Sequence, residues 1–191
     1  MLQEFWRSAI RRRFVVGLIG GPPCETWWQA RERALPAALE GGPSHAPRVL
    51  RTAEFPWGLE ALRLREMQQL SAGNSLMGFQ LAAVIDLYCT GGIALTEHPA
   101  PPRAVNSVSI WKTPIPELLQ QLPGVELLNL AQGLWGAKSA KPTSFLLLNM
   151  SDFCHDLAQW RLASDVPAQT SIGLDLAGGW STAVLKEHPL R

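Results

Sequence analysis

Cysteine is scarce: Cys24, Cys89 and Cys154 are the only three in 191 residues. They are too few and too far apart for a disulfide framework or a closed zinc site, and no CxxC or HExxH motif occurs. No run of about 18 apolar residues is present to span a membrane. The first fourteen residues lack the apolar centre and small-residue cleavage site of a secretory signal. These absences lead to the expectation of an intracellular protein, nuclear or cytoplasmic. Charge is also sparse, at 17% of residues with a formal net of +1, so bulk charge gives no argument for a polyanion partner. At 47% apolar residues the chain has enough material for the core of one ordinary domain and is not of disordered composition. The few charges are unevenly placed. Residues 1–65 carry ten Lys/Arg against six Asp/Glu, and all ten are Arg, the side chain suited to phosphates and base edges. The remainder is net −3.

Periodicity predicts a layered α/β arrangement. Leu2 to Arg13 is spaced as a short helix, with Phe5, Trp6 and Ile10 set against Arg7, Arg11, Arg12 and Arg13. Phe14 to Ile19 is a compact apolar run stopped by Gly20-Gly21-Pro22-Pro23, the pattern of a buried, parallel strand ending in a turn. Thr26 to Leu39 reads as helical. Leu59 to Tyr88 has the longest apolar stripe at helical spacing, with Gly73-Asn74 as an expected break and Gly91-Gly92 as its end. Ile93 to Thr96 is a second strand. Ser109 to Leu122 is expected as a helix capped by Asn106 or Ser107. Val125 to Leu130 and Ser144 to Met150 make a third and fourth strand around a Gln132–Thr143 loop. One domain over 1–150 is followed by a 151–191 tail in which Asp152 to Leu162 has a weak helical signal.

In open α/β sheets, ligands collect at the carboxyl ends of the strands. Cys24 stands there after the first strand, on a turn stiffened by Pro22 and Pro23. A thiol so placed becomes a nucleophile if a cation or a helix amino terminus stabilises its thiolate, and Arg31 and Arg33 are the nearby cations. The same thiol also reads as a small buried residue filling the turn. Glu97 lies flush against the end of the second strand, suited either to general-acid work or to a solvated strand end. Trp27 and Trp28 follow the thiol turn and are read either as base-stacking platforms or as core. Cys154, His155 and Asp156 are adjacent on a helix, point different ways and are read as surface.

Val16 to Cys24, an apolar strand followed by Gly-Pro-Pro-Cys, resembles the catalytic motif of DNA cytosine-5 methyltransferases. Ile93 to Pro99, a strand ending in Glu97-His98-Pro99, resembles their second catalytic motif. Gln132-Gly133 followed by Lys141-Pro142-Thr143 is similar to a segment of phage-type members. The resemblance spans residues 12 to 150 and implies a three-layer Rossmann-like methyltransferase sheet truncated to its catalytic half. It implies Cys24 as the nucleophile and Glu97 as its partner at cytosine N3. Substrate contacts would come from Pro22, Pro23, Lys138, Lys141 and Thr143, DNA would be the partner, and S-adenosylmethionine the methyl donor.

Two positions depart from the family pattern: Glu25 stands where Gln is common, and His98 where Asn is usual. A Gly-rich cofactor turn does not precede the first strand. Met67 to Leu76 echoes the run that closes the family domain, but lies out of order between the two catalytic motifs. The sequence therefore points to an incomplete or inactive methyltransferase-like form, with a partner chain completing the sheet. The alternatives are a non-enzymatic module binding nucleic acid or a partner chain, and an unrelated α/β protein whose reactive Cys24 works with His45 or His98.

Overall fold

A computed structural model of the chain describes residues 1–27, 48–102, 107–135 and 141–163. In chain order these form α1 (Leu2–Arg11), β1 (Gly17–Gly20), α2 (Leu64–Thr90), β2 (Ile93–Pro99), α3 (Pro114–Leu119), β3 (Val125–Ala131), β4 (Pro142–Leu148) and α4 (Ser151–Ala163). Single 3₁₀ turns at Ile110–Lys112 and Gln132–Trp135 lead into α3 and out of β3. Among the described residues no helix is long and apolar enough to cross a membrane. The expected helix over Thr26–Leu39, the cap at Asn106, and Trp28, Arg31, Arg33, His45 and Lys138 lie wholly or mostly outside the described residues. Thr26 and Trp27 themselves sit in a turn.

The four strands make one mixed sheet in the order β1-β2-β4-β3. β1 runs parallel to β2, with Gly17 opposite Ile93 and Gly20 opposite Thr96. The other two pairings are antiparallel. The α/β class expected from the sequence is present, but only its first strand pair is parallel.

Alternation along β2 divides the two faces. Ala94, Thr96 and His98 are buried on the side of α2, where Met77, Val84 and Leu87 join Leu146, Leu148 and Trp111 in the larger core. On the other side Leu95 and Phe145 pack with Leu128, Leu130 and Leu147, and α4 adds Cys154 and Leu157. Burial and a hydrogen bond to Glu126 push the Cys154 thiol up to about 11, an inert structural sulfur. Of the three residues read as surface, His155 and Asp156 are exposed, but Cys154 is buried because it faces the sheet.

Several boundaries move for identifiable reasons. β1 begins only at Gly17, because Arg13 takes a left-handed φ of 62° to close α1. The amides of Arg13 and Phe14 return to the carbonyls of Ile10 (2.8 Å) and Ala9 (2.9 Å), a helix ending in which glycine is the usual residue. α2 runs unbroken through Gly73-Asn74. Gly73 is buried, and a Cβ there would lie 3.4 Å from Thr26 Oγ1 and 3.5 Å from Arg51 Nη2. It lets the thiol loop approach rather than breaking the helix, and Met67 to Leu76 is simply part of α2. The expected single helix over Ser109–Leu122 is instead a 3₁₀ turn and a short α3. Thr113, extended before Pro114, separates them as a pre-proline residue must. The cap at that turn is Ser109, which accepts from the Trp111 amide, while Ser107 is buried.

The tightest point in the sheet lies under β1. Gln80 donates to Thr96 Oγ1 at 2.8 Å, and a Cβ on Gly20 would fall 2.2 Å from Gln80 Oε1. We expect Gly20→Ala to lose about 1–3 kcal/mol of stability through overpacking, read as a lower midpoint in urea. An unchanged midpoint would show that Gln80 is free to move.

Candidate thiol and carboxylate site

The parallel register of β1 and β2 brings their carboxyl ends out side by side. Glu97 is on the α4 face of β2, and its Oε2 lies 3.3 Å from where a Cβ on Gly21 would be. The bare backbone of Gly21 thus leaves room for the carboxylate beside the exit of β1. Past Gly21 the chain buries Pro22, exposes Pro23 and half-buries Cys24. The Trp27 amide then donates to the Cys24 carbonyl at 2.9 Å, closing the turn.

Pairing of β2 with β4 delivers the third group. Pro99 faces Thr143, so Lys141 arrives next to Glu97 with its Nζ 3.8 Å from Oε1. Gln132, following β3, donates through Nε2 to the same Oε1 at 3.3 Å, and its amide reaches the Lys141 carbonyl. Cys24, Glu97 and Lys141 are therefore brought together from three separate stretches of sequence. Thr143 is fully buried and donates to the Lys141 carbonyl at 3.0 Å, so it shapes the loop from within. Gln132 lies in a motif that gives no sign in the sequence of a role for it at the site. Its adjacency to Glu97 follows from strand order, which the sequence does not display.

Two opposing effects act on the thiol. Burial pushes the Cys24 pKa up, the Lys141 ammonium pulls it back, and Glu97 and Glu25 push it up again. Among the described residues the cation that favours the thiolate is Lys141, just before β4.

The turn carrying Cys24 is anchored from behind. Of the two readings of Trp27, base platform or core, the structure has the core one: Trp27 is buried. The Arg51 guanidinium lies 3.9 Å over its ring and donates twice to Thr26 Oγ1, at 2.8 and 2.9 Å, and once to the Pro56 carbonyl. Trp27 meets the rings of Trp57 and His98 edge to face, and His98 meets Trp111 in the same way. Trp111 Nε1 donates to the Pro99 carbonyl at 2.8 Å, tying this ladder to the end of β2. Neither Arg51 nor the depth of Trp27 had a sequence signal, because both depend on a contact across the undescribed 28–47 stretch. Among the described residues no cluster of His, Cys, Asp or Glu is arranged to hold a metal ion.

No protein-family model matches the chain, and no curated protein or solved structure is significantly similar to it.

His98 is sealed inside the ladder, and its Nε2 has no hydrogen-bond partner among the described residues. Burial first, then Arg51 and Lys141, push its pKa down to about 3. The unfolded chain takes up that proton near the ordinary histidine value of about 6.5, whereas the folded chain resists it. This contribution to stability is complete above that value and is lost as pH falls toward about 3. The slope is about 1.4 kcal/mol per pH unit. Thermal melts between pH 7 and 4 should fall more steeply for the natural chain than for His98→Phe. Parallel curves would mean that the buried imidazole is not the group responsible.

Proposed function

We propose that this chain is the thiol-bearing half of an S-adenosylmethionine-dependent DNA cytosine-5 methyltransferase-like protein, in a form that does not complete the cofactor site by itself. The observation that carries the reading is the meeting of Cys24, Glu97 and Lys141 at the shared carboxyl end of two parallel strands. Its sheet would be the catalytic half of a Rossmann-like methyltransferase sheet.

The chemistry asked of these residues is an addition to a pyrimidine ring flipped out of the duplex. The Cys24 thiolate forms a bond to C6. The C5–C6 π pair moves to C4–C5, the C4–N3 π pair moves onto N3, and N3 takes the proton delivered by the Glu97 carboxyl group. Lys141 favours the thiolate before attack, and Gln132 fixes the orientation of Glu97 through Oε1.

The described residues do not fit S-adenosylmethionine. The carboxylates near the thiol are already engaged, Glu25 by Gln69 and Glu97 by Gln132 and Lys141. A cleft of about 240 Å³, lined by Arg13, Val16 and Ile93 among others, sits at the opposite, amino end of the strands. No methyl-transfer step is therefore drawn from this chain.

One feature favours a second reading, a non-enzymatic module that binds nucleic acid or a partner: burial pushes the Cys24 pKa up, against thiolate formation. A hydrolase pairing Cys24 with His98 is disfavoured, because that imidazole is enclosed by Trp27 and Trp111 on the face of β2 opposite Glu97.

The test uses duplex DNA carrying 2-pyrimidinone in place of cytosine, since this base lacks the electron-donating amino group and adds thiols without a methyl donor. We expect a covalent adduct on denaturing gels, absent in Cys24→Ser and formed about 10²–10³-fold more slowly in Glu97→Gln, the usual cost of one charge-stabilising group. An adduct persisting in Cys24→Ser would remove the nucleophile assignment, and no adduct with the natural chain would favour the binding module. Calorimetric titration of the chain alone with S-adenosylmethionine should show no saturable heat. Micromolar binding would overturn the incomplete cofactor site.

A further inference from the structure

We propose that the open edge of β1 is the docking site for a β-strand of a second, acidic polypeptide. Among the described residues β1 pairs only with β2, so the backbone groups along its outer side have no ladder partner. Such a row is matched by another strand, because only a polypeptide backbone repeats donors and acceptors at that spacing.

The surroundings are not those of an edge protected against pairing. Val16 is 68% and Ile19 79% exposed, and no lysine, proline or bulge interrupts the strand between them. Beside it, Val16 and Ile93 line the 240 Å³ cleft, which is large enough for an aliphatic side chain of an added strand, with Arg13 at its rim.

Charge selects the occupant. Arg7 and Arg11 are committed to Glu4 and Asp86, whereas Arg12 and Arg13 are exposed and, among the described residues, make no side-chain ion pair or hydrogen bond. Arg13, at a φ of 62° where glycine is the usual residue, stands on the turn just before the edge. A partner strand of alternating apolar and acidic residues fills the cleft and meets both guanidinium groups. A second copy of this chain is a poorer occupant, since an isologous contact sets the same arginines against their own copies. This inference rests on the edge, the cleft and the free arginines, and does not draw on the thiol chemistry.

The test titrates the full chain into fluorescein-labelled ten-residue peptides of alternating Val and Asp, or Val and Lys, and reads anisotropy at low salt. The Val/Asp peptide should bind at least tenfold more tightly. Arg12→Glu/Arg13→Glu should invert that order without changing the melting temperature or the yield of the pyrimidinone adduct, and Ile19→Asp should weaken the Val/Asp peptide. Equal binding of the two peptides, or a preference that survives the charge reversal, overturns the proposal. So does a dimeric mass by light scattering with the Gly17–Gly20 amides already protected from exchange, which would make a second copy the occupant.

Discussion

Everything at the candidate site depends on one pairing, the parallel alignment that sets Gly20 against Thr96. Strands in parallel leave the sheet in the same direction, so the residues after each share one end without any direct bond between them. The alignment needs two bare backbones. At Gly20 the missing side chain leaves space for Gln80 to reach Thr96, and at Gly21 it leaves space for the Glu97 carboxylate. A one-residue slip would turn Glu97 into the α2 core and His98 onto the α4 face. The register is thus specified by burial as strongly as by hydrogen bonding.

The thiol turn is then held from below rather than from the sheet. Trp27 presses into the core with Arg51 across its ring, and Arg51 also fixes Thr26 through paired hydrogen bonds. Burying a guanidinium carries a desolvation cost that is offset here by donors aimed at oxygens and by the π face. The cost of this rigidity falls on the thiol. The burial that aims Cys24 also raises its pKa, and Lys141 only partly opposes this. Pre-organisation and nucleophilicity therefore pull against each other at this turn.

What was legible in the sequence was mostly what short-range pattern encodes. The apolar runs ending in Gly-Gly-Pro-Pro and in Glu97 mark the ends of β1 and β2, and the long stripe marks α2. The motifs at Cys24, Glu97 and Lys141 were visible as separate pieces. Their convergence was not, because it requires β4 to insert between β2 and β3, an order no local signal carries. Gly73 illustrates the same limit. Within a helical pattern it reads as a weak spot, yet it is a point of close approach by Thr26 and Arg51, which are distant in sequence. Trp27 was ambiguous for a related reason, since an aromatic after a turn looks the same whether it faces a ligand or a core.

β1 serves two surfaces at once, and their geometry links them. Its carboxyl end carries Cys24, while its outer edge has no strand paired to it among the described residues. A strand added parallel to β1 would finish at the same end of the sheet, so the loop after it would emerge beside the thiol. An antiparallel strand would bring its amino end there and carry its following loop to the Arg13 side. A partner could therefore contribute residues to the Cys24 end either after a parallel strand, as β2 contributes Glu97, or before an antiparallel one, as Lys141 precedes β4. Docking at the edge and completion of the site are therefore separable: the first needs backbone pairing and charge, and the second needs suitable residues flanking the added strand at the Cys24 end.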